Sequence, residues 1–432
     1  MKAANSVSKM ALAHEIAVDE DFHLEKVDPP SNSIQKKIKD IAHQAFWDLL
    51  KEELEQEEAN YIRALSLLEE IKDLLLSLLL PHQTKTQQEI KDKIDLNLIR
   101  QQIEAKTLDM HAYSQYIVSL MGRLCAPARD EKIRELTALR DIVPLYQGIF
   151  ETLGLMKLDM ANFHIAISRP HIAACSAEYE RAKFEDYLKV TPDGLRNTRE
   201  WLYRNRKLNE ASGSSTSSSS PHHAISSILV ESFMELLTWD GSHPWPETVA
   251  MDEQRFTELR SKLRSVEVES SILLVAFSSQ GIGSLQTSNE FRNSLKEHVS
   301  VVLGNANSDE ELERVMPNVT AQVQDSISKA LKNQGSSTEA LTAESSQLLI
   351  GQITELRHSE SRVRQIIRTR LMDFLRQVIS HEVARPTQIP GGLSLFKSEI
   401  TTLAGRFARL VSHNRAVFAQ HYADLIQNHC ID

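Results

Sequence analysis

From Ile34 onward, apolar residues return at steps of three and four: Ile34, Ile38, Ile41, Ala45, Leu49 and Leu50, with Lys36, Lys39, Asp40 and Lys51 between them. Residues at these steps share one face of a helix, so the pattern predicts an amphipathic helix. A second helix is predicted from about Asn60 to Leu80. Its end, "IKDLLLSLLLP", is apolar almost all round and so belongs to a core. "SILLVAF" from Ser271 reads the same way. "TQQE" at Thr86–Glu89 and "SDEE" at Ser308–Glu311 have the form of capping boxes, in which the first hydroxyl and the last carboxylate each satisfy a free amide at a helix start. Breaks are predicted at Pro127, at Pro170, at "TPDG" (Thr191–Gly194), at "NQGSST" from Asn333 and at "IPGG" from Ile389. Pro192 suits a first helical position, which needs no amide hydrogen. No period of 20 to 50 residues repeats with its own signature, so a regular solenoid is not supported. The expected fold is all-α, an irregular multi-helix bundle or array.

The pattern also divides the chain. Residues 1–33 are mixed in charge and carry "DPPSN" from Asp28, which blocks a helix. They read as a partly disordered N-terminal arm that docks on the body. Residues 34–210 form a helical N-terminal half. "ASGSSTSSSSPHH", residues 211–223, has too little apolar surface to offset its ordering entropy and is expected to be a flexible Ser-rich loop. Residues 224–428 form a helical C-terminal half, expected to pack on the first as one body.

Composition narrows the classes. The 432 residues hold only 14 Gly and 13 Pro, which favours helix. With 59 acidic against 49 basic residues and a net charge of -10, the bulk surface is unsuited to nucleic acid. Three cysteines, Cys125, Cys175 and Cys430, are odd in number and far apart, which argues for a reducing, cytoplasmic setting without disulfides. The sequon at Asn318 is then expected to stay idle. His14 and Glu15 interrupt the apolar stretch near the N-terminus, so no signal peptide is expected. The most apolar windows are far short of the roughly 20 residues that span a bilayer, so no transmembrane segment is expected.

Candidate chemistry falls away residue by residue. "HEVAR" at His381–Arg385 has Arg where a zinc-protease helix needs its second imidazole. His171 and Cys175 share a helix face near His164, but two further zinc ligands are not placed. "GIGS" from Gly281 lacks a third glycine and a flanking βαβ unit. Cys125, in "MGRLCAPARDEKIREL", has Arg123, Arg129 and Asp130 close in sequence. A reactive thiolate would need a histidine or positive charge held beside it. The simpler reading is a helix end with a small apolar Cys, followed by Pro127 at the next first turn and Asp130 and Glu131 at its positive N-terminus. No catalytic residue, cofactor or metal is assigned, and the chain is expected not to be an enzyme.

"LCAPARDEKI" at Leu124, "LMKLDMANFHI" at Leu155, "RPHIAACSAEYERAKF" at Arg169 and "AFWDLL" at Ala45 resemble the signatures of the T-complex protein 11 family. "LLTWDGSHPWPETVAMDEQRF" at Leu236 and "PGGLSLFKSEITTLAGRFARLVSHNRAVFAQHY" at Pro390 extend the resemblance, which is closest to the T-complex 11-like members. It implies an all-helical, non-enzymatic protein of signal transduction, on the cyclic-AMP and protein kinase A axis, with a looser link to the cytoskeleton. It supplies no catalytic residues.

The polar residues of those signatures then need a physical role. Cys125, Arg129, Asp130, Asp159 and Asn162 are the structural signature; the last four stand among apolar neighbours, and a partly buried charge must pair, so these four are expected to form a structural network joining helices. One stretch suggests a binding surface. Between Leu356 and Arg376, six arginines meet only Glu360 and Asp373, while Val363, Ile367, Leu371, Leu375 and Ile379 make the apolar stripe. Arg357, Arg364 and Arg368 are the candidate partner-binding face. Protein partners are expected, from a kinase pathway or, if the basic helix docks acidic filaments, from microtubules. The other reading is a solvated face paired with acidic neighbours.

Overall fold

The computed structural model describes residues 2–26, 33–56, 61–211, 221–280, 282–304, 306, 308–333, 342–380 and 388–428. In chain order its helices are α1 (Lys2–Val18), α2 (Ile34–Glu55), α3 (Ile62–Ser77), α4 (Thr84–Lys93), α5 (Leu96–Glu104), α6 (Met110–Leu124), α7 (Asp130–Ala138), α8 (Ile142–Val190) and α9 (Arg196–Ala211). They continue with α10 (Pro221–Leu236), α11 (Glu253–Phe277), α12 (Asn289–Leu303), α13 (Asp309–Asn333), α14 (Ala343–Glu355), α15 (Arg362–Ser380) and α16 (Lys397–Asn428). Short 3-10 turns add Pro127–Arg129, Glu247–Asp252, Gly283–Thr287 and Ser394–Phe396. The described residues include no strand, and the fold is all-α, as the periodicity required.

The helix punctuation shows which local rules held. At Ser308 the capping box forms in full: the Glu311 amide donates to the Ser308 hydroxyl at 3.1 Å, and the Ser308 amide donates to the Glu311 carboxylate at 3.2 Å. At Thr86 it does not, because α4 begins two residues earlier and Gln83 accepts from the Leu80 amide instead. Pro127 starts a 3-10 turn as expected, whereas Pro170 lies inside the 49-residue α8. Proline there removes one intrahelical bond, that to the Ala166 carbonyl, without ending the helix. Pro192 lies in the turn before α9 rather than at its first position. "HEVAR" and most of the Ser-rich segment, 212–220, lie outside the described residues, as does the "NQGSST" break beyond Asn333.

The chain separates into two compact units, residues 21–171 and residues 1–20 with 172–432. The boundary falls inside α8, one residue past Pro170, and not at the Ser-rich segment. In the unit of residues 21–171, Leu68, Ile71 and Leu75 of α3 pack with Ile117 and Met121 of α6 and Tyr146, Ile149 and Leu153 of α8. The sequence pattern chose the wrong face of α2. Only Leu50 of the expected stripe is buried. The core side is that of Phe46, Trp47, Leu50 and Leu54, roughly opposite on the helix. Two aromatic rings bring more apolar area to the core than the isoleucines do.

In the other unit, α11 is central, touching α12, α14, α15 and α16. Its "SILLVAF" run is buried, and the hydroxyls of Ser270 and Ser271 are satisfied by the carbonyls of Val266 and Glu267. Residues 2–18, read as part of an arm, are helical. Ile16 and Val18 of α1 are buried, and α1 contacts α16.

Candidate functional site

The arginines of α15 were expected at the surface. Arg364 and Arg368 are one turn apart and share a face, and that face packs on α11 at Glu267. The Arg364 Nε donates to Glu267 at 2.8 Å, and Arg368 donates twice, at 2.8 and 3.0 Å. Arg364 is 0% exposed and also donates to the carbonyls of Leu356 and Arg357. Arg357 lies on the outside against Glu313 at 3.2 Å. Arg357, Arg364 and Arg368 therefore do not make one exposed basic face. Arg364 stands three residues before Ile367 and seven before Leu371, so the buried stripe includes it. The sequence held one signal for this: Glu267, between Val266 and Val268 just before the apolar "SILLVAF" run, calls for a cation if it is buried.

The signature residues of the first half gather on α8. Arg129 grips Asp159 with two bonds, at 2.9 and 2.8 Å. Asn162, one turn on, accepts from the Leu24 amide at 2.6 Å and donates to the Leu24 carbonyl at 3.0 Å. Arg169, seven further, donates to the Phe22 carbonyl. One face of α8 thus holds both the Pro127–Arg129 turn and the extended residues 22–24. Cys125 caps α6, with its Sγ 3.6 Å from Asp130. Burial and then the Asp130 carboxylate push its thiol up, the opposite of what a nucleophile requires.

A cluster that no local pattern announced lies in the unit containing α16. His14 of α1 faces two carboxylates: its Nδ1 is 3.0 Å from Glu180 of α8, and its Nε2 is 3.0 Å from Asp252. His413 of α16 approaches the second Glu180 oxygen at 2.9 Å, and Arg255 holds Asp252 at 2.9 Å. Ionised carboxylates only accept, so both nitrogens of His14 carry protons and the ring is an imidazolium. Burial alone would lower its pKa, but the hydrogen bonds it donates to Asp252 and Glu180 outweigh burial and raise it to about 9. Burial likewise raises the Glu180 carboxyl, and His14 and His413 reverse the effect and hold it below the usual range. Among the described residues, His14, Glu180 and His413 are the one set close enough to hold a metal ion, with donor atoms within 4.8 Å. Their mutual bonds already satisfy them, and the cluster reads as an ion-paired latch holding α1. Cys175 is exposed, and it and His171 are not among those ligands.

The remaining candidate surface is on α2. Ile34, Ile38 and Ile41 are 75%, 62% and 68% exposed, and Leu49 continues their line. At 3.6 residues per turn these four fall within about 80° of arc. On the core side of the helix, a cleft of about 1080 Å³ is lined by Phe46, Trp47, Phe150 and Leu158.

An all-helical protein held by long-range ion pairs, with an exposed apolar helix face, is the class these features define. The chain belongs to the T-complex protein 11 family, whose model matches residues 12–427. It is 35% identical to a human T-complex protein 11 homolog over 99% of this chain and 87% of that protein. It is 34% identical to mouse T-complex protein 11 over 94% of this chain and 74% of the relative. A more distant match, to the yeast protein SOK1, is 25% identical over 48% of this chain and 24% of the other. No solved structure matches.

Proposed function

We propose that the protein is a non-enzymatic helical adaptor in signal transduction, acting in the cytoplasm on the cyclic-AMP and protein kinase A axis that family membership implies. The observation that carries this reading is the Ile34, Ile38, Ile41 and Leu49 stripe. Large apolar side chains aligned on an exposed helix face mark an interaction surface, and covering each fully is worth roughly 1.5–3 kcal/mol. A narrow apolar stripe along an exposed helix fits the apolar face of an amphipathic partner helix. The microtubule alternative relied on Arg357, Arg364 and Arg368, and their ion pairs leave that reading without its surface.

Proximity labelling in cells with the wild type and an Ile34→Asp/Ile38→Asp/Ile41→Asp variant tests the adaptor reading. The wild type should label components of the kinase pathway, and the variant should lose them while melting at the same temperature. Equal labelling by both proteins, or none by the wild type, overturns it.

A further inference from the structure

Where α11 and α15 meet, a cavity of about 470 Å³ opens that the α2 surface does not explain. Arg260 and Arg264 of α11 and Arg368 of α15 line it, with Trp239, Thr257 and Met372. One carboxylate, Glu267, belongs to the lining, and it is shared between Arg368 and the buried Arg364. Arg264 finds Asp309 outside the lining. Arg260 donates to the Trp239 carbonyl, and no carboxylate among the described residues pairs with it. Four guanidiniums thus meet two carboxylates, in a chain whose net charge is -10. Two donors on the lining residues are also unanswered: the indole N–H of Trp239 and the Nε–H of Arg264 are buried without an acceptor. Buried donors and uncompensated cations both call for anionic oxygens.

We propose that this cavity binds a phosphoryl group, carried by a small phosphorylated metabolite or by a phosphorylated side chain of a peptide. Planar guanidinium forks match the oxygens of a phosphoryl group, and three of them line this cavity. The cavity exceeds a bare phosphate, and Leu237, Leu263 and Met372 offer an apolar wall to whatever carries it. The exposed hydroxyl of Thr257 stands among the lining residues. The site belongs to residues 237–372 and is independent of the α2 surface, so either reading can fail alone.

Isothermal titration of the intact chain tests the proposal with four probes: inorganic phosphate, adenosine 5′-monophosphate, a phosphoserine peptide and its unphosphorylated form. Arg260→Gln removes the guanidinium that has no carboxylate partner, and Thr257→Glu places a negative charge among the lining residues. Neither breaks an ion pair, so both variants should melt like the wild type. The wild type should bind at least one phosphorylated probe, with affinity falling as salt is added, and each variant should weaken it at least tenfold. Binding of phosphate or the nucleotide identifies a metabolite, and binding of the phosphopeptide alone identifies a modified protein. If no phosphorylated probe binds the wild type at millimolar concentration, or Arg260→Gln binds as tightly as the wild type, the proposal is wrong.

Discussion

The His14 latch makes the most direct physical prediction. A His14→Gln substitution leaves the volume similar but removes the cation that Glu180 and Asp252 share, with His413 and Arg255 as their remaining hydrogen-bond partners. Breaking a buried ion pair from one side costs about 3–5 kcal/mol. The pH dependence identifies the cause. The His14 pKa is about 9 in the folded chain against an ordinary 6.5. A folded pKa above the unfolded one gives stability that is complete below pH 6.5 and lost as the pH rises through 9. The difference corresponds to about 3 kcal/mol. Urea unfolding from pH 6 to 10 measures it. With Trp47→Phe in both proteins, the three remaining tryptophans, Trp201, Trp239 and Trp245, report only on the unit that holds the latch. The stability gap between the protein that keeps His14 and the His14→Gln variant should narrow by about 3 kcal/mol between pH 6.5 and 9.5. A constant gap would refute the imidazolium assignment, because the other titrating groups are common to both proteins.

Further expectations concern individual residues. Cys125→Ala should change stability by less than about 1 kcal/mol, since a small apolar side chain replaces another, and Cys125 should alkylate slowly below pH 8. Rapid alkylation there would show an activated thiol. Arg364→Met should cost about 3–5 kcal/mol by stripping Glu267 of its buried partner, whereas Arg357→Met, at an exposed pair, should cost under about 1. Equal costs in a denaturation series would contradict the burial of Arg364. Glu269 is raised to about 7 by burial, with Lys296 opposing and Glu399 adding to the rise. Stability should therefore fall as the pH climbs from 4.5 through 7, and Glu269→Gln should raise the melting temperature at pH 8 more than at pH 4.5. The same gain at both values would rule this out.

Local pattern carried much of the fold. The helical period, the Ser308 capping box, the turn at Pro127 and the burial of "SILLVAF" depend on neighbours within a few residues, and the sequence displays those neighbours side by side. The same logic misplaced the core side of α2, because that helix is apolar on two sides and periodicity cannot say which one a partner will cover. It also sent Arg364 to the surface. Arginine is usually exposed, and only the approach of Glu267, 97 residues away, makes a buried guanidinium stable.

The candidate sites divide the same way. Arg129, Asp130, Asp159 and Asn162 could be named from their apolar surroundings, but their partners could not. Asp159 and Asn162 meet the chain 30 and 138 residues away. The His14 latch joins positions separated by 166 and 238 residues, and the arginine cavity assembles α11 with α15. By itself, the sequence determined that this chain is helical and where some helices begin, as at Ile34 and Ser308, because backbone hydrogen bonding and capping are settled over a few residues. Only the tertiary structure decided which charges are buried, which apolar face stays open and where guanidiniums outnumber carboxylates. Those outcomes depend on desolvation and on pairing between side chains that are distant in sequence and become neighbours only in the folded chain.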